Sequence, residues 1–131
     1  MILLDTCAII WDALDPSKLS AKAISAIEQA DGKNELLMSD ISMWEIAMLI
    51  QRSRLQISTT AANFLSLYLK ARNISVVPVS PDIAELSVSF SSELNSDPGD
   101  RIIAASSIVH HASLVTADMN LRQCGALDII W

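Results

Sequence analysis

The sequence predicts an α/β fold with a largely parallel sheet. Short apolar runs recur along the chain, at 2–4, 36–38, 75–79, 113–116 and 127–130, each too short for a helix and rich in Leu, Ile and Val. Longer segments with apolar residues at helical spacing lie between them. Caps and turn formers stand at the boundaries. Strands that alternate with helices in this way build a parallel sheet with helices packed on it.

The elements follow in order. Ile2–Leu4 is a first buried strand ending at Asp5 and Thr6. From about Ser17 to Ala30 a helix places Leu19, Ala23, Ile24, Ile27 and Ala30 on one side, and the Asp31-Gly32-Lys33-Asn34 turn stops it with glycine in the usual stop position. Leu36–Met38 is a second strand. Ser39 and Asp40 offer caps for a helix over 41–51 that is apolar nearly all round and carries one charge, Glu45, before Arg52. A helix over 60–71 has Phe64, Leu65, Tyr68 and Leu69 as its stripe. A third strand covers 75–79, closed by Pro78 and Pro81, and a helix is expected over 82–93. In the DPGD sequence, Asp97 is the N-cap, Pro98 the first helical residue and Asp100 part of the first turn of a helix reaching about His111. Ser113–Thr116 is the fourth strand, 119–123 a short helical turn and 127–130 the last strand. There are no repeats, linkers or low-complexity stretches, so the 131 residues are expected to form one domain.

Composition narrows the function. Apolar residues make up 51% and the mean hydropathy is +0.38, yet no run reaches the roughly 18 residues of a spanning helix. The N-terminus lacks a basic region, and Asp5 breaks its apolar segment, so it does not read as a secretory signal. The excess of apolar residues points to an oligomer or partner surface. Cys7 and Cys124 form neither a disulfide framework nor a metal spacing, and a cytoplasmic setting is expected. A net charge of −6 argues against a generic basic nucleic-acid binder. Any nucleic-acid chemistry here needs cations to offset the acids.

The acids themselves carry the signal. The helix from Asp100 travels roughly 17 Å at 1.5 Å per residue, and a five-residue strand returns about as far, so Asp118 comes back level with Asp100. Asp5 follows the first strand, Asp118 the fourth; Asp100 opens a helix at that same edge, and Glu45 lies just over one turn into another. Function in parallel sheets gathers beyond the carboxyl ends of the strands. Each acid also has a structural explanation: Asp5, Asp97, Asp100 and Asp118 suit helix starts, and Ser42 with Glu45 fits a capping box. Four carboxylates at one edge repel one another and rise in pKa unless a cation sits among them. Oxygen-only donors favour Mg²⁺ or Mn²⁺, which suits phosphodiester hydrolysis. A phosphatase of the haloacid dehalogenase class is disfavoured, because it needs a second Asp two residues after the first and Cys7 stands there. A non-catalytic interaction module, its acids only caps, is the alternative from a different class.

The pieces LLDTCAIIW, SMWEIA around Glu45, DPGDRIIAAS around Asp100 and LVTAD ending at Asp118 together resemble the PIN-domain ribonucleases of the VapC toxin type, in that family's order and over nearly the whole chain. The resemblance implies a PIN-like three-layer sandwich, a five-stranded sheet flanked by helices. It implies a metal-dependent endoribonuclease in which Asp5, Glu45, Asp100 and Asp118 hold Mg²⁺ or Mn²⁺. Thr6 and Thr116 match polar positions beside the metal, and Asp97 belongs to the DPxDR variant. Arg101 is either a phosphate contact or a surface helix charge. Implied partners are an RNA substrate, a VapB-type antitoxin and a second copy of the chain, with Met48–Ile50 and Phe64–Leu69 as candidate surfaces and no membrane. The segment after Glu45, MLIQRSRLQI, is more apolar and less basic than is common in the family. His110 and His111 suit the helix C-terminus. Cys7 is expected to be a small buried residue, and Trp11, Trp44 and Trp131 packing residues.

Overall fold

A computed structural model describes residues 1–131. Strand β1 (Ile2–Leu4) leads through Asp5 into α1 (Thr6–Leu14), a 3-10 turn (Pro16–Lys18) and α2 (Ala21–Gly32). Then come β2 (Leu36–Ser39), α3 (Asp40–Gln51), α4 (Ala61–Ala71), β3 (Ile74–Val77), α5 (Pro81–Ser89) and α6 (Pro98–Val109). The chain closes with β4 (Ser113–Val115), α7 (Met119–Arg122) and β5 (Ile129–Ile130). All neighbouring strands are parallel, in the order β3-β2-β1-β4-β5. In register, Leu3 lies between Leu37 and Leu114, and Leu4 between Met38 and Val115.

Alternation along these strands divides the core into two layers. Leu4, Leu36, Met38 and Val115 point to one face, where Ala8 and Ile9 of α1, Ala23 and Ile27 of α2, Ile46 of α3 and Phe64 and Tyr68 of α4 cover them. Leu3, Leu37 and Leu114 point to the other face, under Ile83 of α5, Ile103 and Ala104 of α6 and Leu121 of α7. Small residues on α6 (Ala104, Ala105, Ser106 and Ser107, all buried) let that helix lie close to the sheet. The result is a three-layer α/β sandwich around a five-stranded parallel sheet, as the sequence predicts.

Several details differ. Helix α1 has no counterpart in the periodicity reading. TCAIIWDAL is too uniformly apolar to show a stripe, while Asp5 caps the helix by accepting a hydrogen bond from the Thr6 N–H. Gly32 is the last residue of α2; Asn34, at φ 56°, supplies the left-handed turn instead. The helix expected over 82–93 ends at Ser89, because the carbonyls of Phe90 and Ser91 accept from Arg101 rather than continuing a helical ladder. Strand β3 stops at Val77, ahead of Pro78. Trp11 and Trp131 pack together, with ring centroids 5.9 Å apart, but Trp44 is 60% exposed and does not pack into the core. Cys7, too, is exposed rather than buried.

Just ahead of the amino end of β3, Arg72 at the end of α4 joins three elements. It forms ion pairs with Asp12 of α1 at 2.8 Å, and with Glu28 and Asp31 of α2 at 2.9 and 3.0 Å. The Tyr68 hydroxyl donates to the same Asp12 carboxylate at 2.8 Å.

Candidate active site

A cleft of about 420 Å³ opens at the carboxyl ends of the central strands, and Asp5, Glu45, Asp97, Asp100 and Asp118 all line it. Thr6, Cys7, Trp11, Met48, Leu49 and Ala117 complete the wall. Adjacent strands β1 and β4 each end at an acid-bearing turn, which places Asp5 and Asp118 side by side. The first turn of α6 brings Asp97 and Asp100, and the second turn of α3 brings Glu45.

Each acid is held by the local structure that presents it. Asp5, 6% exposed, accepts from the Thr6 N–H at 2.8 Å through one oxygen and from the Thr116 hydroxyl at 2.7 Å through the other. Thr116 is fully buried beneath it, and its hydroxyl also accepts from the Asp118 N–H at 3.0 Å. Asp118 caps α7 by accepting from the Asn120 and Leu121 N–H groups. Asp97 caps α6 by accepting from the Gly99 N–H at 3.3 Å. Asp100 accepts from the Asn95 side-chain amide at 2.8 Å. Structural capping and convergence on one cleft are therefore not rival explanations, since Asp5, Asp97 and Asp118 do both.

Glu45 is held differently from the capping-box expectation. Ser39 is the N-cap of α3, so Ser42 lies inside the helix and Glu45 does not reach back to a backbone N–H. Its carboxylate instead accepts from the Thr6 hydroxyl at 2.7 Å, and the Ser42 hydroxyl lies 2.9 Å from that of Thr6. Gly99 allows this arrangement: a Cβ at position 99 would stand 2.6 Å from Glu45 Oε2. The backbone of α6 thus presses against the Glu45 carboxylate.

Electrostatics records the crowding. Desolvation raises Asp5 to about 6, and the charges of Glu45 and Asp118 add to it against the hydrogen bonds from Thr116 and Thr6. Asp100 is raised to about 6, again first by desolvation, then by Asp5, Asp97 and Asp118, with the Asn95 bond opposing. Glu45 is raised by desolvation, and by Asp97 and Asp100. The Cys7 thiol, at the cleft wall, is pushed up to about 11 by desolvation and by the four carboxylates of Asp5, Glu45, Asp100 and Asp118, which keeps it a protonated thiol at neutral pH.

The donor set fits a hard divalent cation. It consists of carboxylate oxygens, those of Asp5, Glu45 and Asp100 raised in pKa, with no histidine among the residues of the wall. No three of these side chains close on a single point as a complete coordination sphere. A hard cation such as Mg²⁺ does not require such a cage, because it usually takes only one or two carboxylates directly and keeps several waters.

Arg101 is not among the residues that line the cleft, and it is not a free surface charge. Its guanidinium donates to the carbonyls of Asn95, Phe90, Ser91 and Leu94 at 2.7–3.2 Å. Sequence reasoning took Ser42 only for a cap and assigned no role to Asn95 or Gly99. Ser42 stands one turn before Glu45 on the same helix face, a readable signal; Asn95 sits in an irregular loop and offers none.

An acidic cleft beyond the carboxyl ends of a five-stranded parallel sheet defines an α/β domain of a recognisable kind, and the chain belongs to the PIN-domain family, whose family model matches residues 2–127. Among curated proteins it is 36% identical to Ribonuclease VapC22 of Mycobacterium tuberculosis over 121 residues, covering 92% of this chain and 89% of that one. Solved structures similar in fold include VapBC2 from Rickettsia felis bound to a DNA fragment of its promoter (TM-score 0.74, 18% identity, 98% of this chain and 97% of that one). DNA-bound VapBC from Salmonella typhimurium is comparable (TM-score 0.72, 15% identity, 98% and 95%).

Proposed function

We propose that this protein is a Mg²⁺- or Mn²⁺-dependent endoribonuclease, the toxin of a VapBC-type pair acting in the cytoplasm. The observation that carries this reading is the cleft in which Asp5, Glu45, Asp100 and Asp118 meet, three of the four with raised pKa. The ribonuclease relative, similar over nearly the whole chain, supports the activity. The neighbouring VapBC complexes support a VapB-type antitoxin as partner. No helix is long and apolar enough to cross a membrane.

In this reading Asp5, Asp100, Asp118 and Glu45 would hold the cation, one or two of them directly and the others through its waters. When bound, it supplies an activated water and charge stabilisation on the phosphate oxygens. The protein's own contribution is placement. Thr116 fixes Asp5 and the turn to Asp118; Thr6 and Ser42 fix Glu45; the α6 cap at Asp97 orients the first turn that carries Asp100. Asp5 and Asp100, at about 6, are ionised at neutral pH and ready to hold a cation. The N-termini of α1 and α6 at the cleft favour negative charge there, including a phosphodiester drawn in beside the metal. A second copy of the chain would cover an exposed apolar side chain such as Leu67 of α4.

One observation favours the alternative, a catalytically silent interaction module: no Lys or Arg lines the cleft. The deciding experiment is RNA cleavage by the purified protein in Mg²⁺ or Mn²⁺, against EDTA and Asp100→Asn. Cleavage that requires metal and disappears in the variant is expected. Cleavage that survives both EDTA and Asp100→Asn refutes the site, and a wild-type protein that neither cuts RNA nor binds Mn²⁺ is the silent module.

A further inference from the structure

Asn95 stands at the junction of two arms of the acidic cleft. Its amide nitrogen donates to Asp100 Oδ2 at 2.8 Å, its amide oxygen accepts from the Asp97 N–H at 2.9 Å, and its own N–H donates to Asn120 Oδ1 at 2.8 Å. The Asn120 N–H in turn donates to Asp118 Oδ1 at 2.8 Å. Asp118, Asn120, Asn95 and Asp100 thus form one hydrogen-bonded chain between the start of α7 and the first turn of α6. Arg101 holds the loop that carries Asn95, through four carbonyls between Phe90 and Asn95.

We propose that Asn95 is a positioning residue for the metal: it fixes the orientation of Asp100 and its spacing from Asp118. The proposal rests on the metal-dependent reading above. An amide suits the task, because it occupies one Asp100 oxygen as a neutral donor and leaves the other for a cation. A lysine or arginine there would bring a positive charge that competes with the metal. Groups that orient a ligand in this way control affinity without touching the ion, and their removal typically weakens metal binding about 10–100-fold.

The test is Mn²⁺ titration of the full chain by calorimetry, with thermal melting in EDTA, for wild type and Asn95→Ser. Serine keeps an acceptor for the Asp97 N–H but is too short to reach Asp100. The expected result is an Mn²⁺ Kd raised at least about tenfold, with metal-free melting within about 4 °C of wild type, as befits one lost part-buried hydrogen bond. If Asn95→Ser fails to fold, Asn120→Ala takes its place, with a severalfold rise in Kd expected. Wild-type affinity in the folded variant overturns the proposal and leaves the metal reading standing. Weakened binding that comes only with a larger melting loss assigns Asn95 to loop integrity, and also overturns it. A wild-type protein that binds no Mn²⁺ overturns both readings.

Discussion

Gly99→Ala separates the shape of the acidic cleft from the stability of the fold. Gly99 lies in the first turn of α6, with no left-handed backbone conformation to forbid a side chain. Alanine is the better helix former, by up to about 1 kcal/mol in a helix interior and less in the first turn. The obstacle is Glu45. An added Cβ would meet Oε2 at 2.6 Å, Cδ at 2.8 Å and Oε1 at 3.1 Å, where ordinary contact begins near 3.4 Å. The carboxylate must therefore retreat by about 0.8 Å from its nearest approach, against a 6–12 wall that allows no compromise. It is the far end of a flexible side chain, so it moves at small energetic cost, but its 2.7 Å bond from Thr6 stretches or breaks. A misplacement of this order at reacting groups lowers turnover by about a hundredfold. The two readouts move apart: melting is unchanged or slightly raised, while ribonuclease turnover at saturating Mn²⁺ collapses. Gly99→Ala with wild-type turnover refutes the assignment of Glu45 to the site. A large melting loss refutes the claim that only Glu45 must yield.

Two further predictions concern charge. The folded-state pKa of Asp5, about 6, exceeds its ordinary 3.8, so between those values the folded protein holds a proton that the unfolded chain has released, and metal-free stability falls as pH rises from about 4 to 6. At about 1.36 kcal/mol per unit the loss approaches 3 kcal/mol above pH 6. Melting in EDTA is expected to be higher at pH 5 than at pH 7, Asp5→Asn to reduce that difference, with Asp100 keeping part of it, while abolishing cleavage, and cleavage by the wild type to fade below about pH 6 as the acids protonate. Arg72→Ala leaves Asp12, whose side chain is only 5% exposed, with no cationic partner; urea unfolding is expected to show a loss of about 3–5 kcal/mol, and turnover per folded molecule to remain, because Arg72 lies outside the cleft.

The sheet was legible because its strands are short apolar runs set off by turn residues, and the edge argument then placed Asp5, Asp100 and Asp118 together. What stayed hidden has particular physical causes. TCAIIWDAL is apolar on every side, so α1 carries no periodic signature. The bond from Thr116 to Asp5 spans 111 positions, and only the pairing of β1 with β4 creates it. Ser39 was legible as a cap, but Ser42 and Glu45 repeat a capping-box spacing one turn later, and spacing alone cannot show that Glu45 turns instead to the Thr6 hydroxyl of another helix. Arg101 follows the DPGD motif like a ligand-binding residue, but it serves backbone carbonyls in a loop that no pattern predicts. Trp44 shows the limit of composition: hydropathy cannot tell a packed tryptophan from one left facing solvent.

The double use of Asp5, Asp97 and Asp118 as caps bears on how such a protein changes over generations. The capping oxygen is present in asparagine as well as aspartate, and asparagine is among the best N-caps. A single base change in an aspartate codon produces that exchange. With Asp5 and Asp118 in the proposed metal-holding roles, the smallest genetic step would switch off the chemistry without surrendering a helix start, leaving a folded chain whose outer surfaces are unaltered. Inactive descendants of this fold are thus close at hand in sequence space, and an intact fold by itself is weak testimony that the acidic cleft still works.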